Sequence, residues 1–379
     1  MPPLNRAAYL VTTRAIPLEV RSAPYTPPGP DEIVVKNGAI AVNPVDYGKQ
    51  RGGDHMLSWI KYPFVLGSDV AGEVVEVGAG GKAASLFKPG DRVVGHAVGL
   101  DRRSGKNSEG AFQLYTVLRS NVVSKIPDDL SYESACVLPM GVSTAACGLF
   151  LKDFNALRYP TSTEPRDTDP KQTFIVWGGS TSVGSNAIQL ARAAGYEVFA
   201  TSSPKNFEYV KNLGAAQAFD YNDPKTVGAM IAAFKDGNRT CAGSIAIGKG
   251  SLEACVDIVG AVPGRKFVAQ TSVPINPGTM PSSSLGVAAV MLGYMWWNLS
   301  TGLRTRFRGV TTKFIWASDV AATEVGEMVY NDFLQNALAT GRYQVKPVPQ
   351  LVGKGLEHVQ EALDTHMRGI SAAKVVVSL

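Results

Sequence analysis

The chain has 379 residues, of which 45% are hydrophobic and 18% are charged, enough to build two globular domains rather than one. Its net charge of +5 is small and scattered, so the composition does not indicate nucleic-acid binding. The four cysteines include no C-x-x-C pair, which argues against a zinc lobe or a disulfide framework and favours a cytoplasmic protein with reduced thiols. We expect neither a signal peptide nor a membrane-spanning segment.

The first 140 residues are predicted to be rich in β-strands. Strand patterns occur at residues 7–11, 32–41, 70–77, 92–95 and 112–117. Turns rich in glycine and proline separate them, for example at residues 27–31 and 88–91. Short strands with such turns between them favour a partly open barrel.

The stretch from residue 173 to residue 205 predicts a strand–turn–helix–strand unit. Residues 173–177 form a short apolar run, a glycine-rich turn follows, and apolar residues then recur at helical spacing before a second strand at 196–201. Such a turn directs backbone N–H groups and the positive end of the helix at a phosphate. The predicted cofactor-binding residues of the turn are Gly178, Gly179, Ser180, Thr181, Ser182 and Val183.

The turn matches the dinucleotide fingerprint G-x-G-x-x-G only in part, because Thr181 stands at the middle glycine. An ATP- or GTP-binding loop needs a lysine after its last glycine, and Ser185 stands there instead. A turn that merely packs the helix against the strand is the alternative. The surrounding strand–turn–helix–strand pattern favours a dinucleotide site.

The end of the second predicted strand favours NADPH over NADH. An NAD site places Asp or Glu there to bind the ribose 2′-hydroxyl, whereas this chain has Ser202, Ser203 and Lys205. Two hydroxyls and an ammonium suit the 2′-phosphate of NADPH. Ser203 followed by a proline could instead simply cap a helix, and both interpretations can hold together.

The remaining sequence completes an alternating α/β pattern and then returns to the first domain. Further strands are predicted at residues 216–219, 254–259 and 266–271, and helices at 322–340 and 355–365. A final strand at 374–378 is predicted to rejoin the N-terminal domain. We therefore expect one domain made of residues 1–140 and 311–379, and a second made of residues 141–310.

An ordered set of short motifs is similar to those of the medium-chain dehydrogenase/reductase superfamily. The motifs are Asn-Pro-Val-Asp at 43–46, Leu-Gly-Ser-Asp-Val-Ala-Gly at 66–72, Lys-Pro-Gly-Asp-Arg-Val at 88–93 and Gly-Ala-Phe-Gln-Leu-Tyr at 110–115, followed by the glycine turn, Leu-Gly-Ala at 213–215 and the closing segment 369–377. The resemblance implies an α/β protein with a GroES-like β-barrel catalytic domain and a Rossmann doubly wound parallel sheet. It also implies that the nicotinamide of the cofactor lies in the cleft between these two domains.

The chain departs from the zinc-dependent branch of that superfamily. Where that branch has Gly-His-Glu, this chain has Gly67-Ser68-Asp69, and the cysteine expected near Pro44 is missing. We therefore predict no metal. The resemblance is closer to quinone oxidoreductases and to fungal trans-acting enoyl reductases, which work beside polyketide synthases.

The resemblance also assigns roles to individual residues. Asp46 and Lys49 are expected beside the cofactor, where Lys49 could face the cofactor phosphates or simply solvent. Tyr47 is a candidate proton donor or simply a packed aromatic. Ser143 or Thr144 is expected to bind the nicotinamide or the substrate carbonyl, unless they only cap a helix. The further cofactor-binding candidates are Tyr221 near the adenine, Val259 and Gly260 near the nicotinamide ribose, and a Gly369-Ile370 turn over the cofactor.

These expectations lead to a specific function with two alternatives. The predicted reaction is NADPH-dependent reduction of the C=C bond of an α,β-unsaturated carbonyl or acyl thioester by hydride transfer to the β-carbon. The alternatives are NADPH:quinone reduction and a cofactor-binding accessory protein. A polyketide synthase is a candidate partner, and the protein is expected to be a monomer or a homodimer. Substrate contacts are predicted for Pro139, Met140, Met291 and Met295, the last two in an apolar segment that could line a substrate channel or a dimer face.

Overall fold

A computed structural model describes residues 3–161, 172–275, 280–281 and 283–379. Its strands, in chain order, are β1 (Asn5–Leu10), β2 (Glu19–Ala23), β3 (Glu32–Ala41), β4 (Phe64–Val65), β5 (Asp69–Val77), β6 (Arg92–His96), β7 (Tyr115–Arg119), β8 (Val123–Lys125), β9 (Gln172–Trp177), β10 (Glu197–Ser202), β11 (Gln217–Asp220), β12 (Thr240–Ala246), β13 (Phe267–Gln270), β14 (Thr311–Phe314), β15 (Val348–Lys354) and β16 (Ala373–Ser378).

The α-helices follow the same order. They are α1 (Pro44–Gly52), α2 (Ala83–Leu86), α3 (Tyr132–Ala135), α4 (Pro139–Phe150), α5 (Ser182–Ala193), α6 (Phe207–Asn212), α7 (Thr226–Asp236), α8 (Ser251–Ala261), α9 (Ser284–Arg308), α10 (Glu324–Glu327), α11 (Gln335–Ala339) and α12 (Val359–Met367).

The chain divides into two compact units. The first contains Met1–Met140 and Ala321–Leu379, and the second contains Gly141–Ile275 and Pro281–Val320. The boundary predicted at residue 310 falls before β14, which pairs with β13 in the second unit.

The first unit is built around β3. This strand lies antiparallel to β5, β7 and β16 within a seven-stranded sheet, and β2, β1 and β4 form a separate three-stranded sheet. The pairing of Val376 with Ala41 brings the last strand back to the N-terminal strands, as the sequence predicted. The sequence did not reveal its neighbour β15, which pairs with β16 in parallel.

The second unit contains a six-stranded parallel sheet in the order β11-β10-β9-β12-β13-β14. Numbered from β9, this is the 3-2-1-4-5-6 order of a Rossmann fold. The five residues Thr173–Trp177 of β9 are all buried, as expected for a strand covered on both faces of a parallel sheet. The predicted fold class is therefore confirmed.

Two predicted elements are wrong or incomplete. Residues 254–259 lie in helix α8 rather than in a strand, because Leu252, Cys255, Val256 and Val259 follow the helical period and all four are buried. The long helix predicted at 322–340 is interrupted by a π-helical segment, Met328–Leu334.

One apolar stretch, Tyr132–Phe150, is long and hydrophobic enough by composition to cross a membrane. However, 83% of its apolar window is buried inside the protein, and α3 and α4 are separate helices within it. These properties are those of core helices.

Candidate functional site

The glycine turn after β9 has the geometry of a phosphate-binding turn. Gly178 has a φ of +92°, which favours glycine, and its N–H donates to Thr201 Oγ1 at 2.9 Å. Thr181 is the N-cap of α5, and its Oγ1 accepts from the N–H of Gly184 at 3.0 Å. The threonine at the middle position of the fingerprint thus fixes the start of the helix.

Gly184 lets α5 begin directly against the turn. A Cβ at this position would lie 2.2 Å from the carbonyl oxygen of Gly178 and 2.8 Å from the Cα of Gly179. Both of those atoms belong to the backbone, so a side chain here could be accommodated only by moving the helix away from the strand. The third glycine of the fingerprint is therefore required by packing.

We expect Gly184→Ala to destabilise the protein by about 1–3 kcal/mol and to weaken dinucleotide binding, because the turn must open to admit the methyl group. Urea unfolding and cofactor titration by fluorescence would measure the two effects. Gly228→Ala in α7 is the matched control, since a Cβ there meets nothing within 4 Å. That control should be neutral or stabilising by up to about 1 kcal/mol. Equal behaviour of the two variants would contradict the packing argument.

The start of α5 also offers donors for a ligand. The first amides of an α-helix have no acceptor within the helix, and Thr181 serves only that of Gly184. The Oγ of Ser182 is buried and has no hydrogen-bond partner among the residues that the structure describes. A buried hydroxyl without a partner at a helix N-terminus fits a dinucleotide phosphate as its missing partner.

The end of β10 carries hydroxyls and an ammonium. Ser202 is fully buried and its hydroxyl donates to the carbonyl of Ser203 at 3.1 Å, while Lys205 is exposed. Asp220, the one carboxylate in register with Ser202, accepts from the backbone and side chain of Asn222 at 3.0 and 3.2 Å. A short 3-10 turn, Pro204–Asn206, follows, so the helix N-terminus expected at Ser203 is only a single turn before α6.

Three further predicted contacts of the second unit have different outcomes. Tyr221 follows β11 directly and is exposed, which leaves its ring open to a ligand. Val259 and Gly260 do not follow the fourth strand, because they lie inside α8 and their carbonyls accept from Lys266 Nζ at 2.7 and 3.2 Å. The fourth strand is β12, which ends at Ala246. The assignment of these two residues to the nicotinamide ribose is therefore withdrawn.

In the first unit, a buried network of charges centres on Asp69. Its Oδ2 accepts from Lys374 Nζ and from Asn43 Nδ2, both at 2.8 Å, and its Oδ1 accepts from the backbone N–H of Met140 at 2.6 Å. Lys374 also donates to Asn43 Oδ1. This carboxylate thus joins β5, β16, the start of α1 and the start of α4. Sequence reasoning did not select Asp69 or Lys374, although a charged residue in an apolar strand was the available signal.

Asp46, predicted beside the cofactor, is fully buried and structural. Its Oδ2 accepts from the N–H of Asn43 at 2.8 Å and its Oδ1 from the N–H of Gly67 at 3.2 Å. Burial raises the pKa of this carboxyl to about 7, against the lowering effect of these hydrogen bonds. Asp46 therefore holds α1 against the segment before β5.

Lys49 and Tyr47 lie on the same helix in different surroundings. Lys49 is fully buried, and its Nζ donates to the carbonyls of Gly53, Met56 and Leu57 at 3.0–3.4 Å. Its three protons are thereby engaged, so it is poorly placed to bind a cofactor phosphate. The Tyr47 ring instead lies 5.5 Å from the ring of His366, and burial raises the Tyr47 pKa.

The remaining predicted site residues lie in helices α4 and α9 and in one turn. The carbonyl of Pro139 accepts from Tyr330 Oη at 2.8 Å, and Ser143 and Thr144 are buried within α4. Gly369 has a φ of +98° and forms, with Ile370, the turn between α12 and β16. Met291 and Met295 lie on α9 and are exposed.

The residues at the motif positions do not suit a zinc ion. No group of three or more His, Cys, Asp and Glu side chains that could hold a metal occurs among the described residues. The ammonium of Lys374 lies 2.8 Å from Asp69, where it would repel a cation, and Ser68 offers no imidazole.

The buried titratable groups of the first unit predict acid sensitivity. Burial lowers the pKa of His96 and of His366 to about 4, whereas an unfolded histidine titrates near about 6.5. Between about pH 6.5 and about pH 4, both histidines are protonated in the unfolded state but neutral in the native state. The unfolded state therefore binds two more protons at these positions, and the free energy of unfolding falls as the pH falls. Asp46, with a native pKa of about 7, acts in the opposite sense and offsets one of them.

We therefore expect the free energy of unfolding to fall by about 1.4 kcal/mol per pH unit over this range. His366→Phe removes one of the two histidine contributions and should make the profile nearly flat, whereas Asp46→Asn should make it about twice as steep. Urea unfolding at a series of pH values measures this slope. The exposed His55, replaced by Phe, is the control and should leave the profile unchanged.

Comparison with known proteins agrees with this architecture. Residues 29–128 match the family described as "Alcohol dehydrogenase GroES-like domain", and residues 182–266 match "Zinc-binding dehydrogenase". Dehydrogenase pigH of Monascus ruber is 49% identical over 377 residues, which cover 100% of both chains. Trans-enoyl reductase himH of Aspergillus japonicus is 37% identical over 380 residues, covering 99% of this chain and 98% of that protein. A mycobacterial protein solved in complex with NADPH has a TM-score of 0.65 at 19% identity, with coverage of 99% and 100%.

The Rossmann sheet with its glycine turn, together with the GroES-like first unit, defines the class of nicotinamide-dependent oxidoreductases. The identity of 49% along the entire length makes the assignment more specific. The chain belongs to the medium-chain dehydrogenase/reductase superfamily.

Proposed function

We propose that the protein is an NADPH-dependent reductase of activated C=C bonds that needs no metal. Its substrate would be an α,β-unsaturated carbonyl compound or an acyl thioester. The observation that carries the proposal is the combination of a phosphate-binding turn with a β10 end that bears Ser202, Ser203 and Lys205. Bound NADPH supplies a hydride for the β-carbon of the substrate.

Several groups of the second unit support binding of the cofactor. The free amides of α5 and the unpartnered hydroxyl of Ser182 suit the pyrophosphate. Lys205 and Ser203 suit the 2′-phosphate, whereas the buried hydroxyl of Ser202 donates to the carbonyl of Ser203. Tyr221 offers an exposed ring for the adenine. The closing turn at Gly369 and Ile370 in the first unit remains a candidate contact with the cofactor.

The Asp69 network supports chemistry without a metal. In a metal-dependent alcohol dehydrogenation, the ion would polarise the substrate oxygen as a Lewis acid. Here the ammonium of Lys374 is bound to Asp69 and Asn43 inside the unit and holds a fixed positive charge. Reduction of a conjugated double bond needs orientation and hydrogen bonds to the carbonyl rather than a strong Lewis acid. Ser143 and Thr144 are our candidates for those hydrogen bonds.

Tyr47 is our candidate for protonation of the α-carbon. A tyrosine phenol is protonated at neutral pH, and burial raises the Tyr47 pKa further, so this side chain would donate its proton as a weak acid. We expect Tyr47→Phe to lower kcat by about 10²-fold or more while changing the KM for NADPH little. Steady-state kinetics measures both constants, and Tyr25→Phe in the same unit is the control. An unchanged kcat would show that Tyr47 is a packing residue and that another group protonates the α-carbon.

The substrate class is tested by side-by-side assays. Consumption of NADPH is followed with an enone, a crotonyl-type acyl thioester and a quinone, and formation of NADPH is followed with a primary alcohol and the oxidised cofactor. We expect turnover with the enone or the thioester. Turnover of the quinone alone would favour a quinone oxidoreductase, and tight NADPH binding without turnover of any of them would favour an accessory protein.

The names of the relatives support a proposal for the biological setting. Several of them are named trans-enoyl reductases, including himH of Aspergillus japonicus and tndF of Aspergillus flavipes. We infer that this chain acts on chains carried by a polyketide synthase, in the cytoplasm. Activity on a carrier-bound thioester that exceeds activity on the free thioester would support this partner.

A further inference from the structure

Helix α9 packs on its own unit through Trp297 and several polar side chains, and it exposes an apolar side to solvent. Toward α8, Trp297 Nε1 donates to Glu253 Oε1 at 2.6 Å, Arg304 pairs with Asp257 at 2.8 Å, and Thr301 is buried. The opposite side carries large apolar side chains at helical spacing. We call this side the outer face; it consists of Leu292, Met295, Trp296, Leu299, Leu303 and Phe307. This arrangement is the reverse of an ordinary surface helix.

The outer face is large enough for a stable interface. Its side chains are from 49% (Leu303) to 85% (Phe307) exposed, and Trp296 is 72% exposed. Large apolar side chains offer about 150–250 Å² each, so the outer face exposes roughly 800 Å². The largest apolar patch of an ordinary monomer is about 300–600 Å², whereas a standard interface buries about 800 Å² on each partner.

Two glycines lie at the borders of the outer face, one on each side of it. A Cβ on Gly293 or on Gly302 would meet nothing within 4 Å. A glycine inside a helix lowers stability by about 1 kcal/mol relative to alanine. At these two positions no neighbouring atom of the second unit would clash with an alanine side chain. The missing side chains leave room at both borders of the outer face for side chains of a partner.

From these observations we propose that α9 is a homodimer interface in which the outer faces of two copies pack antiparallel across a twofold axis near Trp296. A second copy is favoured because the surface is self-complementary, with one apolar face of uniform character along the helix. The orientation follows from charge. α9 contains no Asp or Glu, and its three arginines, at 304, 306 and 308, all lie in the last turns. A parallel pair would bring six arginines together, whereas an antiparallel pair with its axis near Trp296 separates the two groups by about 30 Å.

Sedimentation velocity of the full chain at micromolar concentrations tests the proposal. We expect a species with twice the chain mass. The double variant Trp296→Glu/Leu299→Glu should sediment as a folded monomer, because it places four carboxylates in the apolar interface. Leu351→Glu, on exposed β15 of the first unit, is the control and should remain a dimer. A wild-type monomer at every concentration, or a dimer that persists in the double variant, would overturn the proposal.

Disulfide trapping tests the orientation without depending on an association constant. The four native cysteines are buried, so an introduced surface cysteine is the accessible thiol. With copper phenanthroline as oxidant, Met295→Cys should form a covalent dimer with itself, because it lies near the axis. A mixture of Leu285→Cys and Phe307→Cys chains should cross-link to each other and not to themselves. Self-linking of Phe307→Cys would show a parallel pair, and flotation of a monomer with anionic vesicles would assign the outer face to a membrane surface instead.

Discussion

Replacing Lys205 with alanine is expected to raise the KM for NADPH roughly tenfold while changing the KM for NADH less than about twofold. The ammonium would act on the 2′-phosphate, which NADH lacks, so the variant should separate the two cofactors. A charge-assisted hydrogen bond is worth about 1.5–3 kcal/mol, and solvent screening of the exposed Lys205 places the effect near the lower limit. The preference should also weaken as salt is added.

Two variants sharpen this test. Lys211→Ala removes an exposed ammonium from α6 that pairs with Glu208 at 3.1 Å, and should leave both constants unchanged. Ser203→Asp retains a residue that can cap the following turn but adds a negative charge, and should favour NADH over NADPH. If Lys205→Ala changes the two constants equally, the 2′-phosphate is bound elsewhere.

Replacing Lys374 with methionine is expected to destabilise the protein by about 3–5 kcal/mol, because it leaves the carboxylate of Asp69 buried without its cation. Neither side chain of this pair is more than 3% exposed, so water cannot substitute for the lost ammonium. Urea unfolding measures the change. Lys36→Met, at an exposed position of β3, is the control and should shift stability by less than about 0.5 kcal/mol.

A double variant distinguishes a charge effect from a packing effect. Lys374→Met together with Asp69→Asn removes both charges, and we expect it to be more stable than Lys374→Met alone. The start of α4 should keep its position in the double variant, because an asparagine side-chain oxygen can still accept from the N–H of Met140. If the double variant is no more stable than the single one, the Asp69–Lys374 pair does not stabilise the unit electrostatically.

The sequence was most informative where local pattern and tertiary environment agree. The predicted strand at 32–41 coincides with β3, and the glycine turn has the predicted strand before it and helix after it. The helical identity of α8 was missed because Val256-Asp257-Ile258-Val259 is also a typical buried strand. The period of Leu252, Cys255 and Val259 should have decided for a helix.

The sequence was least informative about charges brought together by folding. Asn43, Asp69 and Lys374 are separated by up to 331 residues, and no local pattern predicts that they share one network. Likewise, the family resemblance alone places Lys49 beside the cofactor. Its position between three backbone carbonyls depends on the fold of residues 53–57 and could not be read from spacing.

Deuterium labelling of NADPH shows directly whether the protein reduces the C=C bond by hydride transfer to the β-carbon. The enzyme is incubated with an enone or a crotonyl-type thioester and NADPH deuterated at the hydride-donating carbon, and the product is analysed by NMR. We expect a saturated product with a single deuterium at the β-carbon and a solvent proton at the α-carbon. An allylic alcohol with the double bond intact, or oxidation of NADPH without deuterium at the β-carbon, would contradict it.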